Sequence, residues 1–266
     1  MVTARPQPPT NGVRIRQADP RELTYRLHPP PSAPNPQANR DLGPWLPPVF
    51  YQEMNDCVAN ATATCLQALA NLTGKPNART EVSRLAIFSW GRMAEGTFPI
   101  DMGMYANSGL DAVIARNGDC REDLAPYHPD PAYVPSDAAV ADCPNQDWVL
   151  AHAPFYPSDP GGLDGMIMTA LDLYRPVMIC IRWDPSFSNT GPDGWLPPPD
   201  YQGQGYHELV IYGRFTARDG TTAYSVRNSW GDWWGDAGNC YMPISYLPAV
   251  CTDSRVVFPE RYPPLT

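Results

Sequence analysis

Proline limits where this chain can be helical. The sequence has 33 prolines in 266 residues, above the usual share of about 5%, and twelve of them lie in the first fifty positions, including Pro29-Pro30-Pro31 and Pro47-Pro48. Each proline removes a backbone donor and clashes with the preceding turn, so no continuous helix fits there. Residues 1–45 therefore read as an extended, polyproline-like arm. With six Arg against three acidic residues in its first fifty positions, the arm is cationic in a chain whose net charge is −9. That contrast predicts that the arm lies along an acidic body.

The remaining length suits one large domain or two tightly packed lobes. A pI near 4.8 and a single lysine, Lys75, argue against nucleic acid or anionic lipid as the main partner, because both select for Lys and Arg. No apolar run approaches the roughly 20 residues that would insert in a membrane. The first residues lack the apolar core of a signal peptide. Those features read as cytoplasmic, with signal-independent export as the alternative. Seven cysteines are present, at 57, 65, 120, 143, 180, 240 and 251. None has the paired spacing of a zinc site, so neither a metal nor another cofactor is expected. Cys120 and Cys143 are the best disulfide candidates, although reduced thiols are favoured throughout.

Apolar periodicity predicts helices over 56–72, 80–94, 107–117 and 163–174. In the first, Asp56 is placed as N-cap and Gly74 as the stop. Strands are expected at Val177–Trp183, Glu208–Phe215, Ala223–Asn228 and Asn239–Pro243. Helices first and strands later describe an α+β fold. It divides into the arm (1–45), a mainly helical lobe (46–165) and a β-rich lobe (166–266).

Three residues far apart in sequence carry the chemistry. Cys57 opens the first helix, His207 opens a strand, and Asn228 begins Asn228-Ser229-Trp230-Gly231-Asp232-Trp233-Trp234-Gly235. A thiol needs a base, and the base needs a third group to hold its ring. The Asn228 string, with Gly238 beyond it, resembles the Asn-Ser-Trp-Gly-x-x-Trp-Gly-x-x-Gly signature of the papain family of cysteine peptidases. His207–Gly213 resembles the strand that begins with that family's catalytic histidine. Tyr51–Ala61 resembles its Gln-containing loop and nucleophile helix. Weaker likenesses lie at Asp101-Met102-Gly103 and Leu124-Ala125-Pro126-Tyr127.

The resemblance implies a helical lobe and an antiparallel, barrel-like β lobe with the active-site cleft between them. It implies Cys57 as nucleophile, His207 as base and acid, and Asn228 as the group that orients the ring. Trp230 would shield the Asn–His bond, Trp234 would line the leaving-group side, and Gly103 would mark the edge that pairs with substrate backbone. Gln52 would complete the oxyanion hole. It stands five residues before Cys57, where the family has six, and Asn55 is the alternative donor. Asp56 and Glu208 also depart from the pattern: the first is expected to turn away from the thiol, the second to find an arginine. The family's helical propeptide has no counterpart in the Pro-rich arm, so control is expected from specificity, compartment or a partner. The implied activity is hydrolysis of peptide or amide bonds through an acyl-thioester. An acyltransferase, amidase or cyclase using the same thiol, or a non-catalytic binding protein, are the competing readings.

Overall fold

The computed structural model describes residues 12–15, 39–73, 81–146, 150–155, 161–200 and 202–259. In chain order the elements are β1 (Val13–Arg14), β2 (Arg40–Asp41), α1 (Cys57–Thr73), α2 (Arg84–Glu95), β3 (Met104–Tyr105), α3 (Ser108–Ile114), α4 (Asp137–Asp142), β4 (Leu150–Pro154), α5 (Gly162–Asp172), β5 (Val177–Trp183), β6 (Gly205–Thr216), β7 (Thr222–Arg227), β8 (Asn239–Pro243), α6 (Leu247–Val250) and β9 (Cys251–Pro259).

Helix α1 is enclosed on all sides. Every residue from Cys57 to Ala70 is buried. Its alanines at 59, 61, 63, 68 and 70 are short enough for neighbours to approach from several directions. A helix that is apolar or small all round belongs in an interior. One side packs into a core with Leu85, Ile87 and Phe88 of α2 and Leu110 and Val113 of α3. The same core takes Met178 and Cys180 from β5 and Val210 from β6. Helix α2 is closed at both ends by its own sequence. Ser83 caps the start by accepting from the Ala86 N–H, and Gly96 ends it in the left-handed conformation (φ 72°).

The main sheet has the order β4-β9-β5-β6-β7-β8, with β2 alongside β6, and every pairing is antiparallel. It stays open, so the expected barrel-like lobe is a twisted sheet without closure. A second core of Ile167, Leu171, Ile179, Ile211, Tyr224, Trp230, Trp234 and Met242 covers the other face. Strand β6 is the hub, pairing with β5, β7 and β2.

The acidic body does meet the cationic arm. Arg14 forms an ion pair with Glu95 at 2.7 Å, and Arg40 of β2 pairs with Asp172 at the end of α5, Nη2 to Oδ2 at 2.7 Å. The segment before His207 is tied to the far end of the sheet. Leu196 N–H donates to Tyr241 O at 3.1 Å, and Tyr241 N–H donates to Gly194 O at 2.7 Å. Asp184 braces the same segment by accepting from Ser186 N–H at 2.9 Å and Asp200 N–H at 2.8 Å.

Candidate active site

The nucleophile candidate sits where its helix begins. Asp56 O accepts from Asn60 N–H at 3.0 Å, which makes Cys57 the first residue of α1. Unpaired N–H groups and the helix dipole favour an anion there. The Asp56 carboxyl does not cap as expected, because among the described residues no backbone N–H of α1 donates to either oxygen. Burial pushes this carboxyl up to about 7, opposed by the nearby Tyr127 hydroxyl and Arg84 guanidinium. Arg84 lies 3.7 Å above the Tyr127 ring and donates to Asn60 Oδ1 at 3.0 Å, which fills that side of the helix start.

Strand β6 brings His207 to the site in register with Ile181 of β5. Its Nε2 meets Asn228 Oδ1 at 2.8 Å. Its Nδ1 has no hydrogen-bond partner among the described residues. With Nε2 the protonated donor to the amide oxygen, Nδ1 is left as the basic atom. Burial pushes the imidazole down to about 4, against the raising effect of Asn228. The thiol has 0% exposure, and burial drives it far above its ordinary value. The backbone N–H groups of Glu208 and Val58 oppose that rise, so the thiol lies beside the start of β6. In this closed state burial opposes charge on both groups.

Asn228 is placed by the turn that follows it. Its N–H donates to Gly238 O at 3.0 Å, and Gly238 N–H donates to Trp234 O at 2.8 Å. Gly235 makes the turn feasible: its φ is +58°, and a Cβ there would stand 2.2 Å from Asn239 O. The loop before α1 locks onto this turn, through Gln52 N–H to Ser229 O and Gly231 N–H to Phe50 O, both 2.8 Å.

The two candidate oxyanion amides have different surroundings. The Gln52 carboxamide is buried, accepts from Ser229 Oγ at 2.5 Å and donates to Met54 O at 3.1 Å. Asn55 is turned towards Asp101, donating Nδ2–H to its carbonyl at 3.2 Å and N–H to its carboxylate at 3.0 Å. Gly103 is buried immediately before β3. Trp230 and Trp234 are 0% and 1% exposed, so neither offers its ring to a peptide in this state. Trp230 instead covers His207, with ring centroids 5.2 Å apart.

Two participants escaped the sequence reading. Trp183, at the end of β5, stands edge-on to His207 at 5.1 Å and to Trp230 at 4.7 Å. It follows from strand parity, since Trp183 shares a face with Ile181, the partner of His207. The other is Gly12. A Cβ on it would lie 2.3 Å from Cys57 Sγ and 3.1 Å from Cys57 N. Its carbonyl accepts from Met104 N–H at 3.0 Å, and β1 then runs parallel to β3, Val13 beside Met104 and Arg14 beside Tyr105. The arm itself closes the thiol. Glu208 also departs from expectation. Among the described residues both its oxygens are buried without hydrogen bonds, while Arg255, whose charge bears on it, pairs with Asp253 at 2.8 Å.

Among the described residues no cluster of His, Cys, Asp and Glu could hold a metal. All seven cysteines are free thiols, Cys120 and Cys143 lying in one small core with Trp90. No described helix is long and apolar enough to cross a membrane.

Solved structures share this architecture. Xylellain, a cysteine protease from Xylella fastidiosa, superposes with a TM-score of 0.80 at 24% identity, covering 98% of this chain and 100% of that one. The fold is papain-like. The bromelain protease from Ananas comosus, solved with the E64 inhibitor, gives 0.65 at 15% identity over 84% of this chain and 99% of its own. Digestive procathepsin L 3 from the larval midgut of Tenebrio molitor gives 0.70 at 16% identity over 92% and 75%. No protein-family model and no curated protein sequence matches the chain.

Proposed function

We propose that this protein is a cysteine peptidase whose cleft is occupied by its own N-terminal arm. One observation carries the reading: His207 is bonded through Nε2 to Asn228, its Nδ1 has no partner among the described residues, and the Cys57 thiol at the start of α1 lies near the backbone N–H of the adjacent Glu208. A ring held in that tautomer can take the thiol proton at Nδ1. Once the arm leaves and water enters, the helix dipole and the protonated ring both favour the thiolate. The thiolate attacks the scissile carbonyl. His207 then returns the proton to the leaving amine, and water hydrolyses the acyl-thioester.

We take Gln52 as the oxyanion donor together with the Cys57 N–H, because its buried side chain is held by Ser229 Oγ within the turn that carries Asn228, whereas Asn55 is anchored to Asp101 through both its backbone and its side-chain amide. Trp230 and Trp183 screen the His207–Asn228 bond from water and so strengthen it. Substrates on this reading are extended peptide or protein segments that pair with the β3 edge in place of β1.

Intact mass after treatment with an epoxysuccinyl peptide inhibitor tests the assignment. Wild type is expected to acquire one adduct slowly, G12W quickly, and C57A none. A folded G12W protein that stays unlabelled at Cys57 would overturn the nucleophile assignment.

A further inference from the structure

The arm fills more than the space over the thiol. Two residues along from Gly12, Arg14 is held from three sides. Its Nη1–H donates to Glu95 Oε2 at 2.7 Å, its Nη2–H donates to the Tyr105 hydroxyl at 3.1 Å, and its guanidinium carbon stands 4.4 Å from the Tyr105 ring centre. Glu95 is prepared for this role. Its side chain is only 6% exposed, and its other oxygen accepts the Tyr105 backbone N–H at 2.8 Å, so the carboxylate is fixed at the cleft edge. Between the two anchors, Val13 is buried in the helical core.

A buried carboxylate locked by a backbone donor, beside an aromatic face and a phenolic oxygen, is a receptor for a planar cation. We propose that Glu95 and Tyr105 form a substrate subsite for a basic side chain, arginine above all. Arg14 is its resident occupant while the cleft is closed. The subsite lies on the β3 edge, where a competing peptide must replace β1. A peptide entering the cleft would set a small residue against Cys57, an aliphatic one where Val13 lies, and its arginine against Glu95. Gly12 supports the first requirement, since any Cβ in that backbone path meets the sulfur at 2.3 Å. This inference rests on the peptidase reading for the direction of use, but the subsite is a matter of binding and can be measured without catalysis.

The test uses the full chain carrying G12W, to expel the arm, R14A, to vacate the subsite, and C57A, to prevent reaction. Fluorescein-labelled peptides Asn-Gly-Val-Arg-Ile and its reversed order Ile-Arg-Val-Gly-Asn are titrated by anisotropy, each against a version with citrulline for arginine. Citrulline keeps the shape and loses the charge. A charge-assisted bond to a fixed carboxylate predicts that the arginine version of one order binds about tenfold tighter. Adding E95Q, which preserves an acceptor for Tyr105 N–H, is expected to shrink that ratio to about twofold. Discrimination below about twofold in both orders, or a preference that survives E95Q in a protein of unchanged Tm, would overturn the subsite. Iodoacetamide labelling of Cys57 in the G12W, R14A protein is read separately. An inert thiol there would count against the peptidase reading and leave the binding result standing.

Discussion

Replacing Gly12 by alanine is the smallest change that separates the arm from the thiol. The new methyl would start 2.3 Å from Cys57 Sγ, with Cys57 N at 3.1 Å and the Asn55 carbonyl carbon at 3.2 Å behind it. Ordinary carbon contacts begin near 3.5 Å, so the arm backbone must retreat by more than an ångström. Retreat stretches the 3.0 Å bond from Met104 N–H to Gly12 O, worth about 0.5–1.5 kcal/mol. Overpacking a filled site adds about 1–3 kcal/mol. The closed state therefore loses about 1.5–4.5 kcal/mol relative to the open one, a shift of roughly 10- to 2,000-fold in the opening equilibrium. When opening precedes reaction, alkylation of Cys57 by dilute iodoacetamide accelerates by the same factor. Peptide mapping assigns the adduct, C57A supplies the blank, and thermal melting checks that the body is intact. An unchanged rate at Cys57 in a folded G12A protein would refute the reasoning, since the thiol would then be reached by a route that does not involve the arm.

The buried carboxyl before the nucleophile makes stability depend on pH. Asp56 is raised from 3.8 to about 7 in the folded protein, so its favourable contribution is complete below pH 4 and is lost as pH rises through 7, a few kcal/mol in all. D56N is expected to remove that loss: denaturant midpoints should exceed wild type at pH 8 and match it near pH 4, and an equal offset at both pH values would contradict it. His207, pushed down to about 4 from 6.5, acts in the opposite sense, its contribution present above pH 6.5 and lost as pH falls towards 4. H207F should therefore flatten the acid limb of the stability profile. Q52A in an arm-displaced protein should lower kcat about 10²–10³-fold with little change in KM, and a comparable loss from N55A instead would move the oxyanion role. Gly235, at φ +58° and 2.2 Å from Asn239 O at its missing Cβ, tolerates no side chain. G235A should lower Tm by several degrees, since a strained and clashing position costs about 2–3 kcal/mol.

Local pattern announced much of the fold. Strands β5 and β8 run from Val177 to Trp183 and from Asn239 to Pro243, as their apolar runs indicate, and α1 starts one residue after the position expected. Strand β9 was invisible for a physical reason. Cys251-Thr252-Asp253-Ser254-Arg255 carries too much polarity to read as the interior strand that it is, between β4 and β5. The charges are tolerated because Asp253 and Arg255, two apart on one face, neutralise each other at 2.8 Å. Likewise β2 and β4 fall in stretches assigned to the arm and the helical half, yet both join the main sheet. Strand pairing is a long-range event that no short window contains.

The site divides in the same way. Cys57, His207 and Asn228 could be named as candidates from the sequence because each stands in a local string of its own: a helix start, a strand start and a glycine-punctuated turn. Chemistry that needs a specific residue type leaves such strings. The ring nitrogen that Asn228 holds, the Trp183 edge against the imidazole, the engagement of Asn55 with Asp101 and the seat of Gly12 on the sulfur depend on segments that meet only after folding. Sequence by itself determined the α+β class, helices α1, α2, α3 and α5 and strands β5 to β8, because periodicity and side-chain identity are properties of the chain. Only the tertiary structure decided that the thiol is closed, and by what, because a glycine is informative only through what touches it.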